Sequence, residues 1–122
     1  PWAHVSQLTI TSVPMDEARK RERGMDHAWE LAQIIHHELI PWADLSPLLE
    51  RTKHVQPNAH LGHNALRQAN VKGIFKPVVD APTNVLLIDD VFTTGATLSE
   101  ATRVLRQAGA VHVHVLTLAK GG

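Results

Sequence analysis

The stretch that most constrains this chain runs from Val85 to Thr97, VLLIDDVFTTGAT. An apolar run leads to two aspartates, two more apolar residues, and then threonine, glycine and alanine. The pattern predicts a strand covered on both faces, ending in paired acids and turning through a small-residue loop into a helix. Small residues at such a turn let backbone N–H groups close on an anion, and the helix N-terminus adds partial positive charge. The carboxylate pair cannot itself hold a phosphate; it suits neighbouring hydroxyls or a metal. The expected chemistry is a phosphate in the loop and sugar hydroxyls on the acids. No Gly-Lys-Ser/Thr follows, which excludes a Walker A loop. A single glycine stands where a dinucleotide fingerprint needs three.

With 122 residues the chain has room for one compact domain, 1–122. It starts at Pro1 rather than Met, which points to a fragment or a processed chain. The formal net charge is +0 and aromatics are 4%, so nothing advertises a general attraction to nucleic acid or membranes. There is no cysteine, which excludes disulfides and thiolate metal sites and allows a reducing compartment. No apolar run approaches the roughly 20 residues of a membrane span. No secretory signal is visible. The expected location is cytoplasmic.

Leu8 to Pro14 alternates apolar and hydroxyl residues and predicts a strand. Met15 to Asp26 holds Arg19, Lys20, Arg21 and Arg23, then Gly24. It reads as a solvated helical turn or as a basic loop that meets a diphosphate, and its place after a Val-Pro strand end favours the loop. His27 to Ile40 is a helix with Ala28, Leu31, Ile35 and Leu39 at helical spacing and Asp26 as N-cap. Trp42 to Glu50 is a short strand or loop near an edge, carrying Leu45, Leu48 and Leu49 inward. Arg51 to Phe75 has weak periodicity, with a short helix near Asn64 to Gln68 as one reading. His60 and His63 have a metal-ligand spacing but no third ligand nearby. Lys76 to Thr83 is a short strand and turn. Thr97 to Gly109 is a helix with Thr97 and Glu100 at capping-box spacing. Val111 to Leu118 is a final strand near an edge, with His112 and His114 on one face.

Strand–helix alternation of this kind predicts an α/β domain with a mostly parallel twisted sheet flanked by helices. Val85 to Thr97 resembles the phosphoribosyl pyrophosphate (PRPP) motif of type I phosphoribosyltransferases: an apolar run, two acids, two apolar residues, then Thr-Thr-Gly-x-Thr. Arg23-Gly24 after the first strand, and Arg51, Gln56, Arg67, Asn70, Val71 and Phe75, are similar to segments of the ComF and amidophosphoribosyltransferase-like families. Asp26-His27 stands where those families usually have Asn-Gln. An acid there points to weaker anion binding or a metal contact. ComF proteins usually begin with a cysteine-rich zinc segment, and this sequence contains none.

The resemblance implies that Asp89 and Asp90 bind the ribose hydroxyls of PRPP. It implies that the 5′-phosphate lies on the loop of Val91, Phe92, Thr93, Thr94, Gly95, Ala96 and Thr97. Mg²⁺ would arrive bridging ribose and pyrophosphate oxygens, with Asp89 and Asp90 as its nearest protein groups. Arg23, Arg51 and Lys53 would neutralise the leaving pyrophosphate. Three functions follow as expectations: a phosphoribosyltransferase acting on a nitrogen nucleophile, a non-catalytic ComF-like protein of DNA uptake, or a sensor of PRPP or nucleotides. Expected partners are PRPP, the nucleophile, a second copy of the chain and, in the second case, single-stranded DNA.

Overall fold

The computed structural model describes residues 7–52, 71–90 and 95–117. In chain order its elements are β1 (Thr9–Ser12), α1 (Glu17–Arg23), α2 (His27–Glu38), β2 (Asp44–Leu45), β3 (Leu49–Arg51), β4 (Phe75–Pro77), β5 (Asn84–Asp89), α3 (Gly95–Gln107) and β6 (His112–Thr117). Strands β2, β1, β5 and β6 form one sheet in that order, and every pairing within it is parallel. Strands β3 and β4 pair antiparallel as a separate ribbon. The architecture is the expected α/β one.

Alternation along β5 explains its composition. Val85 and Leu87 join a cluster with Ala101, Val104 and Leu105 of α3 and with Leu49 and Phe75 of the ribbon. Ile88 joins the opposite cluster, with Ala28, Ala32 and Ile35 of α2 and Ile10 of β1. A strand covered on both sides has no solvent face, so its residues are apolar in succession. Strand β1 instead turns a hydroxyl toward the ribbon: the buried Thr11 Oγ1 accepts a hydrogen bond from the Leu48 N–H at 3.0 Å. From β1 the chain passes through α2 to β2, whereas β5 lies on the other side of β1 and leads through α3 to β6. The direction of winding therefore reverses between β1 and β5, and their carboxyl ends flank a crevice.

Several local expectations change. The basic segment is not a loop: it holds α1, a seven-residue helix with no buried residue. Its last turn gathers Lys20, Arg21 and Arg23, where cations meet the helix's partial negative end. Gly24, at φ 83°, ends it in the left-handed region open to glycine. Leu39 belongs to the apolar stripe of α2 by spacing, yet it is 71% exposed. The helix stops at Glu38, and Leu39 caps it beyond the last turn that reaches the sheet. The Thr97–Glu100 capping box does not form. Helix α3 already starts at Gly95, so Thr97 lies inside it, and the Glu100 carboxylate turns to Gly73 and Arg103 instead.

The remaining elements follow expectation. Asp26 caps α2 by accepting from the Trp29 N–H at 3.1 Å. Strand β2 is an edge strand, and Ser46-Pro47 follows it. At the other edge, β6 exposes Val115 and Leu116. Thr52 closes the open end of the ribbon: its N–H donates to the Ile74 carbonyl at 2.8 Å and its hydroxyl to the Gly73 carbonyl at 2.7 Å. Thr52 and Gly73, on either side of residues 53–70, are thus held together. Lys53, Gln56, His60, His63, Asn64 to Gln68 and Asn70 lie outside the described residues, as do Val91 to Thr94. Among the described residues no helix is long and apolar enough to cross a membrane.

Candidate active site

The crevice between β1 and β5 opens into a polar cavity of about 180 Å³. Asp16, Arg19, Asp26, Arg51, Asp90 and Thr97 line it. Three of these, Arg51, Asp90 and Thr97, are predicted site residues from three different elements. Asp89 ends β5 and is 2% exposed; Asp90 follows it at 7%. Both acids are therefore fixed by the end of a central, largely buried strand rather than by a surface loop. Gly95 and Ala96 form the first turn of α3, where N–H groups without intrahelical partners begin. Lys53, and Val91 to Thr94, lie outside the described residues.

Arg23 approaches the site from α1. One terminal nitrogen lies 4.0 Å from Asp90 Oδ2, and the other makes a 2.9 Å hydrogen bond with His27 Nδ1. Arg51 comes from the ribbon. Its Nε–H donates to the Pro14 carbonyl at 3.2 Å, and its guanidinium carbon stands 5.5 Å from the centre of the Phe75 ring. Desolvation lowers the Arg51 pKa from its ordinary value; Asp16 opposes the shift and Arg19 adds to it. The group stays charged at neutral pH because guanidinium pKa values lie so high. The cavity thus brings carboxylates and guanidinium groups together, an arrangement able to take a sugar diphosphate.

Of the other cavity residues, Arg19 belongs to the basic segment expected to meet a diphosphate and Asp26 is the acid expected to weaken anion binding or contact a metal, whereas Asp16 was not singled out from the sequence. The signal for the segment was the Val13-Pro14 strand end directly before it. Asp26 lines the cavity while its Oδ1 is engaged in capping α2. Oxygen donors of this kind suit a hard cation such as Mg²⁺. Among the described residues no group of three or more histidine, cysteine or acidic side chains is arranged to hold a metal. A cation here would need oxygens from the bound diphosphate and sugar.

Behind the site, Glu100 joins α3 to the turn before β4. Its carboxylate accepts from the Gly73 N–H at 2.9 Å and from Arg103 at 2.8 and 2.7 Å. The hydrogen bonds from Arg103 hold the Glu100 pKa below its ordinary 4.5, against the opposing effect of burial and with help from Gly73. A depressed carboxylate pKa stabilises the fold above the ordinary value, and that stabilisation is lost as pH falls through the lowered one. Glu100→Gln should therefore lose less stability on acidification from about pH 6 to about pH 3 than the wild type does. Urea unfolding at the two pH values checks this; parallel losses would contradict it.

No family model matches the sequence. Individual relatives do. The chain is 34% identical over 118 residues to Competence protein F of Haemophilus influenzae, covering 91% of this chain and 49% of that protein. It is 42% identical over 108 residues to Competence protein ComFC of Streptococcus pneumoniae, covering 88% and 46%. It is 31% identical over 114 residues to the DNA utilization protein YhgH of Escherichia coli K12, covering 91% and 48%. The chain spans about half the length of these curated relatives. A solved structure described as the allosteric regulatory enzyme of purine biosynthesis superposes with a TM-score of 0.51 at 22% identity, over 89% of this chain and 21% of that one. The parallel sheet with its acid pair at the winding reversal, together with these likenesses, makes the chain ComF-like with a type I phosphoribosyltransferase-like fold.

Proposed function

We propose that the chain binds PRPP and transfers its ribose 5-phosphate to a nitrogen nucleophile, releasing pyrophosphate. The observation that carries this reading is the meeting of Asp90, Thr97 and Arg51 on one cavity at the winding reversal. In the transfer, the bond from C1′ to the pyrophosphate oxygen breaks and a bond from nitrogen to C1′ forms. Pyrophosphate leaves with the electron pair, and the nucleophile gives up a proton to solvent. Asp89 and Asp90 would accept hydrogen bonds from the ribose hydroxyls. The turn into α3 would hold the 5′-phosphate. Arg51 and Arg23 would face the charge developing on the leaving group, which is electrostatic work by preorganised cations. Mg²⁺, entering with the diphosphate, would neutralise further charge there.

Isothermal titration with PRPP and Mg²⁺ tests the binding, and pyrophosphate release with a panel of amines, ammonia and bases tests the transfer. Saturable binding and nucleophile-dependent release are expected. Absence of binding would sink the proposal.

A second reading has its own support in the names of the relatives, competence and DNA utilization proteins. The chain would then use the fold without catalysis, in DNA uptake. Binding of PRPP without pyrophosphate release, together with salt-dependent binding of single-stranded DNA, would favour it.

A further inference from the structure

The corner between α1 and α2 brings together two residues that the sequence separates by a glycine turn. Gly24 ends α1 with a positive φ, and α2 starts at His27, so the chain reverses within a few residues. Across this corner the Arg23 guanidinium and His27 Nδ1 lie 2.9 Å apart. The other terminal nitrogen of Arg23 is the one 4.0 Å from Asp90. A guanidinium only donates, so Nδ1 is the acceptor and the ring proton of neutral His27 sits on Nε2. His27 is itself held, because it is the first residue of a helix whose cap, Asp26, is hydrogen-bonded to Trp29.

We infer that His27 is a positioning residue, which orients Arg23 toward Asp90 and the cavity so that its charge meets a diphosphate ligand. Arginine has a long side chain with many rotamers, and ordering it costs entropy at each binding event. An acceptor on the far side of the guanidinium fixes its plane in advance. His27 also gives chemical sense to the Asp26-His27 pair. The aspartate caps the helix and the imidazole supplies an acceptor, two tasks that side-chain amides also perform.

The role rests on the proposed binding of PRPP. The test is a set of isothermal titrations with PRPP and Mg²⁺ on wild type, His27→Ala, His27→Gln, Arg23→Ala and the Arg23→Ala/His27→Ala double variant. Melting curves accompany each. His27→Ala should weaken binding about tenfold, the size expected when a charged group loses a hydrogen bond. His27→Gln keeps an acceptor and should bind within about threefold of wild type. The double variant should bind no more weakly than Arg23→Ala alone, since residues acting through one another are not additive. A merely structural role would leave no such coupling. If the wild type binds but His27→Ala is unchanged, or the two losses add, the positioning role falls and the PRPP reading stands. If the wild type does not bind, both fall.

Discussion

Asp90→Asn is expected to weaken binding of PRPP with Mg²⁺ about a hundredfold while leaving the melting temperature within a few degrees. A hundredfold is about 2.7 kcal/mol. Hydrogen bonds to a charged acceptor contribute roughly 1.5–3 kcal/mol each, so loss of the charge that would face the ribose in the proposed complex accounts for it. The asparagine has the same shape and still accepts through its carbonyl oxygen, so the strand end should keep its place. Arg21→Ala serves as the contrast. Arg21 belongs to the same basic helix as Arg19 but, unlike Arg19, does not line the cavity, and binding should be unchanged. Titration calorimetry measures both variants. An Asp90→Asn protein that binds within threefold of wild type would remove the acid pair from the site, and an equal loss in Arg21→Ala would mean that general charge, not placement, does the binding.

The largest loss of stability should come from Leu87→Ala. Leu87 is 0% exposed, on the central strand, between α3 and the ribbon. Truncating a buried leucine costs the transfer of its methyl groups plus the cavity left behind, about 2–5 kcal/mol in sum. For a domain of this size that corresponds to a melting temperature lower by roughly 10–20 °C. Leu116→Ala, on the exposed edge strand, should change stability by no more than about 0.5 kcal/mol. Thermal unfolding followed by circular dichroism reads both. Similar losses in the two variants would contradict the assignment of the core.

Much of the fold was legible in the sequence, for reasons that differ by residue. Val85 to Ile88 could be read as a doubly covered strand because burial on both faces forces apolar residues in succession. Asp26 as a cap and Gly109 as the end of α3 were legible because these roles depend on local chemistry. The shape of Met15 to Asp26 was not. Its alternating charges suit either a loop or a solvated helix, and only Gly24's left-handed turn and the packing of α2 decide between them. The capping box failed for a related reason. Threonine and glutamate three apart is a local signal, but Glu100 has a tertiary partner in Gly73, 27 residues away, and that partner wins. Within Met15 to Asp26 the Val13-Pro14 strand end marked the segment as part of the site, but nothing local singled out Asp16 and Arg19 as the residues that line it.

The hydrogen bonds of Thr52 to Gly73 and Ile74 have a consequence for how such a chain can change over generations. They tie Thr52 to Gly73 and Ile74, so the described flanks on either side of residues 53–70 are held together as a closed neck. Loop-closure entropy grows slowly, about 0.6 kcal/mol for each doubling of length. A change of length between these flanks should therefore cost the closed neck little. The neck is a socket: on the proposed reading, one scaffold would hold the sugar phosphate constant while what approaches it is rewritten.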